Sequence, residues 1–153
     1  VERFGFSVPT DESVPLCIED ISHPRFTYAA TKILGESALF AFAADYGFNL
    51  TVVRYHNVYG PDMGFKHIIP HLNQRFSDGE SPFKVYGAEQ TRAFCYIDDA
   101  VRATVLAMES DRANGEIFHI GKPEEMSVEE VEKSVAILYE YTGEYVGEET
   151  FPG

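Results

Sequence analysis

The feature that most constrains the fold is a long alanine-rich stretch, between His23-Pro24 and Tyr46-Gly47, that contains no proline. Its apolar residues recur at the spacing of one helix face: Ala29, Ile33, Leu34, Ala38, Phe40, Ala41 and Ala44. The spacing predicts a helix from about Phe26 to Tyr46, and Gly47 is suited to cap its C-terminus. A chain of 153 residues is long enough to pack this helix into one domain with a sizeable core.

Two polar residues near the start of this helix share one of its faces. Tyr28 and Lys32 are four residues apart, which places the phenol and the ammonium on the same side. A positive charge beside a phenol favours its deprotonated form, and such a group can accept or donate a proton. The same pair could be two ordinary surface residues, so the spacing alone does not decide between the two interpretations.

The rest of the chain alternates strands and helices. Short apolar runs predict strands at residues 50–54, 83–86, 93–96 and 116–120. Helices are predicted at 68–76, 98–109 and 127–141, where Asp98-Asp99 and the capping box from Ser127 to Glu130 mark two N-termini. Residues 1–25 indicate an extended loop, and 143–153 show no pattern. The alternation predicts an α/β fold.

The helix predicted at 98–109 has an apolar face formed by Ala100, Val101, Thr104, Val105 and Met108. We expect this face to pack against the rest of the domain, because an amphipathic helix buries its apolar stripe.

Composition excludes several classes of partner. A net charge of −13 and a pI near 4.7 argue against nucleic acid and anionic membranes, although a few arginines could still bind an anionic substrate. Cys17 and Cys95 are too few for a metal motif, and His67 and His71 lack a third ligand, so no metal is expected. We expect a reduced, cytoplasmic protein without a membrane span.

The sequence contains no glycine-rich loop for a dinucleotide or a nucleoside triphosphate. It also begins without methionine. Either the protein is not a nucleotide enzyme, or the chain is the C-terminal portion of a longer one.

Four stretches, in order, carry a family resemblance. They are Tyr28-Ala-Ala-Thr-Lys32, Val53-Arg-Tyr-His-Asn-Val-Tyr-Gly-Pro61, Phe83-Lys-Val-Tyr-Gly87 followed by Gln90-Thr-Arg-Ala-Phe-Cys-Tyr-Ile-Asp-Asp99, and Phe118-His-Ile-Gly121. Together they resemble the C-terminal half of an extended short-chain dehydrogenase/reductase of the nucleotide-sugar epimerase/dehydratase family, over roughly residues 5–142.

The resemblance implies a Rossmann-like doubly wound sheet, of which this chain holds the C-terminal part, and a small mixed α/β substrate-binding lobe. Residues 1–60 would belong to the dinucleotide-binding domain and 61–153 mostly to the lobe, with segments near 93–110 returning to the Rossmann-like part.

The resemblance also implies catalytic and cofactor roles. Tyr28 would be the general acid/base, and Lys32 would favour its phenolate and bond the nicotinamide ribose of NAD. His56 would lie near the nicotinamide end. The family's catalytic serine or threonine has no match here, and Glu2 aligns loosely with an acid of some dehydratases and decarboxylases.

Substrate roles follow for four further residues. Asn57 and Arg92 would contact the diphosphate of a nucleotide-sugar, and the strand carrying Lys84 and Tyr86 would hold the base. Each has an ordinary alternative: a turn residue for Asn57, a surface ion pair for Arg92, and alternating strand residues for Lys84 and Tyr86.

The resemblance predicts an NAD-dependent epimerase, dehydratase or decarboxylase, whose complete form would be a homodimer. We do not expect this chain alone to hold NAD, and we expect marginal stability or self-association in isolation. The alternatives are a non-catalytic α/β binding module or inactive incomplete chain, and a reductase with a non-nucleotide substrate.

Overall fold

A computed structural model describes residues 9–148 of the chain, so Glu2 lies outside the described residues. The helices are α1 (Thr27–Tyr46), α2 (Ile68–Ser77), α3 (Ile97–Glu109) and α4 (Val128–Leu138). The strands are β1 (Val52–Tyr55), β2 (Val58–Tyr59), β3 (Phe83–Tyr86), β4 (Thr91–Arg92), β5 (Cys95–Tyr96), β6 (Ile117–Ile120), β7 (Met126–Ser127) and β8 (Tyr145–Glu148). Single 3₁₀ turns occupy Pro24–Phe26 and Asp111–Ala113.

The strands pair in twos within the described part of the chain. β1 lies beside β6, β2 and β5 are parallel, β3 and β8 are parallel, and β4 and β7 are antiparallel. The predicted α/β class is confirmed, because helices alternate with strands and two of the strand pairs are parallel.

The chain forms two compact units. The first contains the described residues up to Arg54 together with Val101–Ile120, and the second contains Tyr55–Ala100 and the described residues from Gly121 onward. Each unit is therefore built from two separate stretches of sequence.

Helix α1 lies in the first unit and has the predicted extent to within one residue. Of the predicted apolar face, Leu34, Ala41 and Ala44 are exposed. Gly47 ends it in the left-handed conformation (φ 68°) and donates its N–H to the Ala43 carbonyl at 2.9 Å. None of its residues is fully buried. The half-buried ones follow one face and include Ala29, Ile33, Glu36, Phe40 and Ala43.

Strand β1 is joined to the residues before β6 by hydrogen bonds. The Leu50 carbonyl accepts a hydrogen bond from the Gly115 N–H at 2.7 Å. The Leu50 N–H donates to Asn114 Oδ1 at 3.0 Å. Val52 donates to the Glu116 carbonyl at 3.0 Å. Gly115 has φ 83°, which glycine adopts without strain, so Asn114 and Gly115 form a tight turn that bonds to Leu50 just before β6.

The second unit has a continuous apolar core. Phe76 of α2 and Phe83 of β3 stack with ring centroids 3.9 Å apart, and Phe83 is fully buried. The core comprises Leu72, Phe76, Phe83, Val85, Phe94, Val131, Val135 and Ala136. Burying one large side chain of this kind contributes about 1.5–3 kcal/mol, so this cluster is the main stabilising element of the unit.

One carboxyl group is buried beside this core. Glu132 of α4 has no exposed surface, and neither of its carboxylate oxygens has a hydrogen-bond partner among the described residues. Burial penalises the charged form and raises the pKa of Glu132 to about 7, although the positive charges of Lys133 and Arg75 act against this.

Three expectations differ from the structure. Helix α4 ends at Leu138 and not near Tyr141, because Glu140 has φ 51° and the chain turns there. The patternless tail contains β8, whose pairing with β3 depends on a distant strand. In α3 only Ala100 is buried, while Val101, Val105 and Met108 are exposed in the described chain. The apolar face predicted from the sequence is present, but the spacing of its residues does not identify the surface that packs against it.

Candidate active site

The phenol of Tyr28 and the ammonium of Lys32 lie together near the start of α1. Lys32 Nζ is 5.2 Å from the centroid of the Tyr28 ring, within the range of a cation–π contact. Tyr28 is 71% exposed, so its hydroxyl is accessible. The shared face predicted from the spacing is confirmed, and the arrangement presents a proton-transfer group with a cation beside it.

An ion pair ties the same helix to strand β1. Arg54 donates from Nε to Glu36 Oε1 at 2.9 Å and from Nη2 to Glu36 Oε2 at 2.6 Å. The side chains are only 17% and 19% exposed, which makes this a largely buried, two-pronged contact. The hydrogen bonds that Arg54 donates to Glu36 raise the pKa of Arg54.

A histidine and a second acid extend this cluster. Arg54 Nη1 lies 3.4 Å from His119 Nε2, and the backbone N–H of His119 on β6 donates to Glu12 Oε1 at 3.0 Å. That hydrogen bond lowers the pKa of Glu12. Sequence analysis missed the cluster as a unit because its members come from four distant stretches, with no spacing to signal it.

His56 and Asn57 follow β1 in the second unit. Asn57 has φ 37°, and its Nδ2 donates to the Ala93 carbonyl at 3.0 Å. A Cβ on Gly121 would stand 2.9 Å from the Cβ of His56, so a larger residue would collide there. Two of the stretches that carried the family resemblance are therefore in contact.

Arg92 lies on β4 with its side chain exposed. Its Nη1 donates to the Thr91 carbonyl at 2.7 Å and its Nη2 to Gln90 Oε1 at 3.1 Å. Gln90 in turn packs against Gly87, where φ is 61° and an added Cβ would lie 2.8 Å from the Gln90 amide nitrogen. Two neutral oxygens thus orient the guanidinium of Arg92.

On β3, Lys84 is exposed and Tyr86 is half-buried. Arg75 of α2 holds this strand: it donates to the Lys84 carbonyl at 2.6 Å and to both Glu80 oxygens at 2.7 and 2.6 Å. Its guanidinium carbon is 4.2 Å from the ring centroid of Phe83. Arg75 lowers the pKa of Glu80. Neither Arg75 nor Glu80 was singled out from the sequence.

The second unit also contains an open cavity of about 800 Å³ between the loop after β2 and helix α2. Its lining includes Tyr59, Pro61, Phe65, Asn73, Gln74 and Tyr139, and no residue assigned a role from the sequence. The volume is in the range of small-molecule sites.

Among residues 9–148, no group of three or more His, Cys, Asp or Glu is placed to hold a metal ion. No helix in that range is long and apolar enough to cross a membrane.

The sequence of residues 6–121 matches the NAD dependent epimerase/dehydratase family. The chain is 39% identical over 115 residues to a UDP-N-acetyl-alpha-D-glucosaminuronate decarboxylase of Bacillus cytotoxicus, covering 72% of this chain and 35% of that protein. It is 33% identical over 148 residues to UDP-D-apiose/UDP-D-xylose synthase 1 of Arabidopsis thaliana, covering 88% of this chain and 38% of the relative.

The fold is similar to that of UDP-glucuronic acid 4-epimerase from Bacillus cereus, solved in complex with UDP-glucuronic acid and NAD. The TM-score is 0.72 at 26% identity, and the match covers 97% of this chain and 48% of the epimerase. The chain thus spans between about a third and a half of the length of these proteins. On the match over residues 6–121 and these similarities, the chain belongs to the NAD dependent epimerase/dehydratase family.

Proposed function

We propose that the complete protein is an NAD-dependent enzyme acting on a UDP-sugar, as an epimerase, dehydratase or decarboxylase. The observation that carries the proposal is the exposed Tyr28 phenol with the Lys32 ammonium 5.2 Å from its ring centroid, inside the segment that matches the family. The relatives support the substrate class, because each is named for a UDP-sugar.

In this proposal Tyr28 accepts the proton of a sugar hydroxyl as its carbon is oxidised, and returns it when the carbon is reduced. Lys32 stabilises the phenolate form of Tyr28, which accepts the proton in the first step and is restored by the second. NAD, when bound, supplies the acceptor and donor of the hydride. Tyr28 and Lys32 would serve its nicotinamide end, since an exposed phenol and a cation stand together on α1. The 153 residues contain no glycine-rich loop that would hold the pyrophosphate.

We assign the substrate to the second unit. Arg92 would pair with the diphosphate, because the neutral oxygens that orient it leave its charge uncompensated by those contacts. Lys84 and Tyr86 would face the base from a strand that Arg75 holds in place. Asn57 would contact the diphosphate, although its positive φ and its bond to Ala93 also suit a turn. In domain terms, residues 1–60 would serve the cofactor and most of 61–153 the substrate.

We also propose that the complete protein is a homodimer. Helix α1 exposes Leu34 by 69%, Phe42 by 52% and Tyr46 by 76%, a hydrophobic surface of the kind that a second subunit covers. Light scattering on the complete protein tests this, and a monomer at micromolar concentration would reject it.

The function is tested with this chain and with the complete protein side by side. Calorimetry measures NAD binding, and turnover is followed with UDP-glucuronic acid, UDP-N-acetylglucosamine and UDP-glucose. We expect the complete protein to bind NAD and convert one of these sugars, with loss of turnover in Tyr28→Phe. In Arg92→Ala we expect a KM at least tenfold higher, since a charged hydrogen bond contributes about 1.5–3 kcal/mol.

Either of two results would redirect the assignment. Failure of both proteins to bind NAD would favour the non-catalytic binding module. NAD binding with an unchanged sugar-nucleotide affinity in Arg92→Ala would favour a reductase with a non-nucleotide substrate.

A further inference from the structure

Glu36 of α1 makes a directional contact with Arg54 of β1 in the first unit. Two nearly parallel hydrogen bonds of 2.9 and 2.6 Å fix both the distance and the plane of the two groups. Because the side chains are 17% and 19% exposed, water does not readily replace either partner. Breaking such a pair leaves an uncompensated charge in a poorly solvated position.

Glu36 stands eight residues after Tyr28 and four after Lys32. At about 100° per residue, Lys32 lies about 40° and Tyr28 about 80° around the helix from Glu36. Glu36 belongs to the half-buried face of α1, and the other two residues lie on the flank of that face. Because one helix carries all three residues, the position of Glu36 fixes the direction in which Tyr28 and Lys32 point.

The other residues of α1 pack at shallow depth, because none of them is fully buried. The half-buried face combines small alanines with Ile33 and Phe40. Such apolar packing is not directional, whereas the two-pronged ion pair is. Arg54 itself is fixed, because it lies on β1 and its guanidinium also reaches His119 on β6 at 3.4 Å.

We propose that Glu36 and Arg54 are positioning residues that set the rotation of α1 about its axis. By that rotation they aim the Tyr28 phenol and the Lys32 ammonium at the reacting atoms. The proposal rests on the catalytic role given above to Tyr28. It assigns no contact with substrate or cofactor to Glu36 or Arg54.

A small rotation of α1 would displace the Tyr28 hydroxyl by a distance that affects catalysis. A tyrosine hydroxyl stands roughly 9 Å from its helix axis, so a rotation of about 10° moves it about 1.5 Å. A misplacement of about 1 Å can lower a catalytic rate about 100-fold. A rotation of α1 by about 10° is therefore sufficient to lower turnover, and the helix stays folded.

The test uses the complete protein with NAD and whichever UDP-sugar it converts. The variants are Glu36→Gln, Arg54→Gln and the charge-swapped double variant Glu36→Arg with Arg54→Glu. Asp45→Asn, an exposed acid at the end of α1, is the matched control. We expect kcat to fall at least tenfold in each single variant, with KM within twofold, and to recover at least threefold in the double variant.

Two readouts separate positioning from a loss of folded protein. The primary deuterium isotope effect at the oxidised carbon should rise in the single variants, because hydride transfer becomes slower; a smaller folded fraction would not change it. In the 153-residue chain, NMR cross-peaks between α1 and β1 report the helix rotation without any activity. We expect that pattern to change in Glu36→Gln and to be preserved in Asp45→Asn.

The failures are distinguishable. Full turnover in Tyr28→Phe, or no turnover of any UDP-sugar by the unaltered protein, would reject the proposed function and this inference with it. Loss of turnover in Tyr28→Phe together with kcat within twofold in Glu36→Gln would reject only the positioning role. An unchanged isotope effect and an unchanged cross-peak pattern would also reject it, whatever the melting temperature.

Discussion

Replacing Glu132 by glutamine should remove a pH-dependent loss of stability from the second unit. Glu132 is fully buried, and its carboxylate oxygens have no hydrogen-bond partner among the described residues. Its charged form is therefore poorly solvated. Glutamine keeps the size of the side chain and cannot ionise, which makes Glu132→Gln a test of the charge alone.

The magnitude follows from the pKa of Glu132, which rises from 4.5 to about 7 on folding. Between these values the unfolded chain has released the proton and the folded chain retains it, so the free energy of unfolding falls as pH rises. The stabilisation that comes from the protonated Glu132 carboxyl is fully present below pH 4.5 and fully lost above about pH 7. At about 1.4 kcal/mol per pKa unit, the loss is about 3 kcal/mol.

The assay is urea unfolding of the chain, followed by circular dichroism because the sequence contains no tryptophan. The quantity measured is the difference in unfolding free energy between Glu132→Gln and the unaltered chain at pH 4 to 8. This difference isolates Glu132 from acids such as Glu80, whose lowered pKa makes them stabilise the fold at higher pH. We expect a relative gain of about 3 kcal/mol in the variant between pH 4 and 8.

Glu124→Gln, at an exposed position before β7, is the control and should show no pH-dependent difference. Parallel pH profiles for the unaltered chain and Glu132→Gln would refute the argument, because they would mean that the buried carboxyl finds solvation or a partner when it ionises.

Three further substitutions test the packing of the second unit. Gly121→Ala should destabilise the chain by about 1–3 kcal/mol in thermal melts, since the new Cβ would lie 2.9 Å from the Cβ of His56; an unchanged melting temperature would show that the histidine moves away freely. Ser127→Ala should lower the unfolding free energy by about 0.5–2 kcal/mol, because Ser127 caps α4; loss of amide protection confined to the first turn of α4 would identify the cause. Arg75→Met should lower it by up to about 3–5 kcal/mol by leaving Glu80 unpaired, and combining it with Glu80→Leu should recover part of the loss; no recovery would contradict the pairing argument.

The parts of the fold that sequence analysis predicted correctly depend on neighbours in the chain. The C-terminal end of α1 follows from the glycine at position 47, and the N-terminal end of α4 follows from the capping box at 127–130. The common face of Tyr28 and Lys32 follows from helix geometry. These signals are local, so one sequence is enough to find them.

The parts that were missed depend on distant partners. Strand β8 is a strand because β3 offers it hydrogen bonds, and its own four residues carry only a weak pattern. The contact of Glu36 with Arg54 crosses from a helix to a strand, where no fixed spacing applies. The catalytic and substrate assignments of Tyr28, Asn57 and Arg92 remain predictions, because geometry alone does not identify a ligand.

The pairing of β3 with β8 has a consequence for synthesis in the cell. Tyr86 at the end of β3 is made about 60 residues before Glu148 at the end of β8. At about 5–20 residues per second, the ribosome takes several seconds to supply the partner strand. During that interval one edge of β3 presents unpaired backbone groups, the kind of edge that other chains can join. The nascent chain should therefore depend most on chaperones after β3 emerges and before the tail is complete.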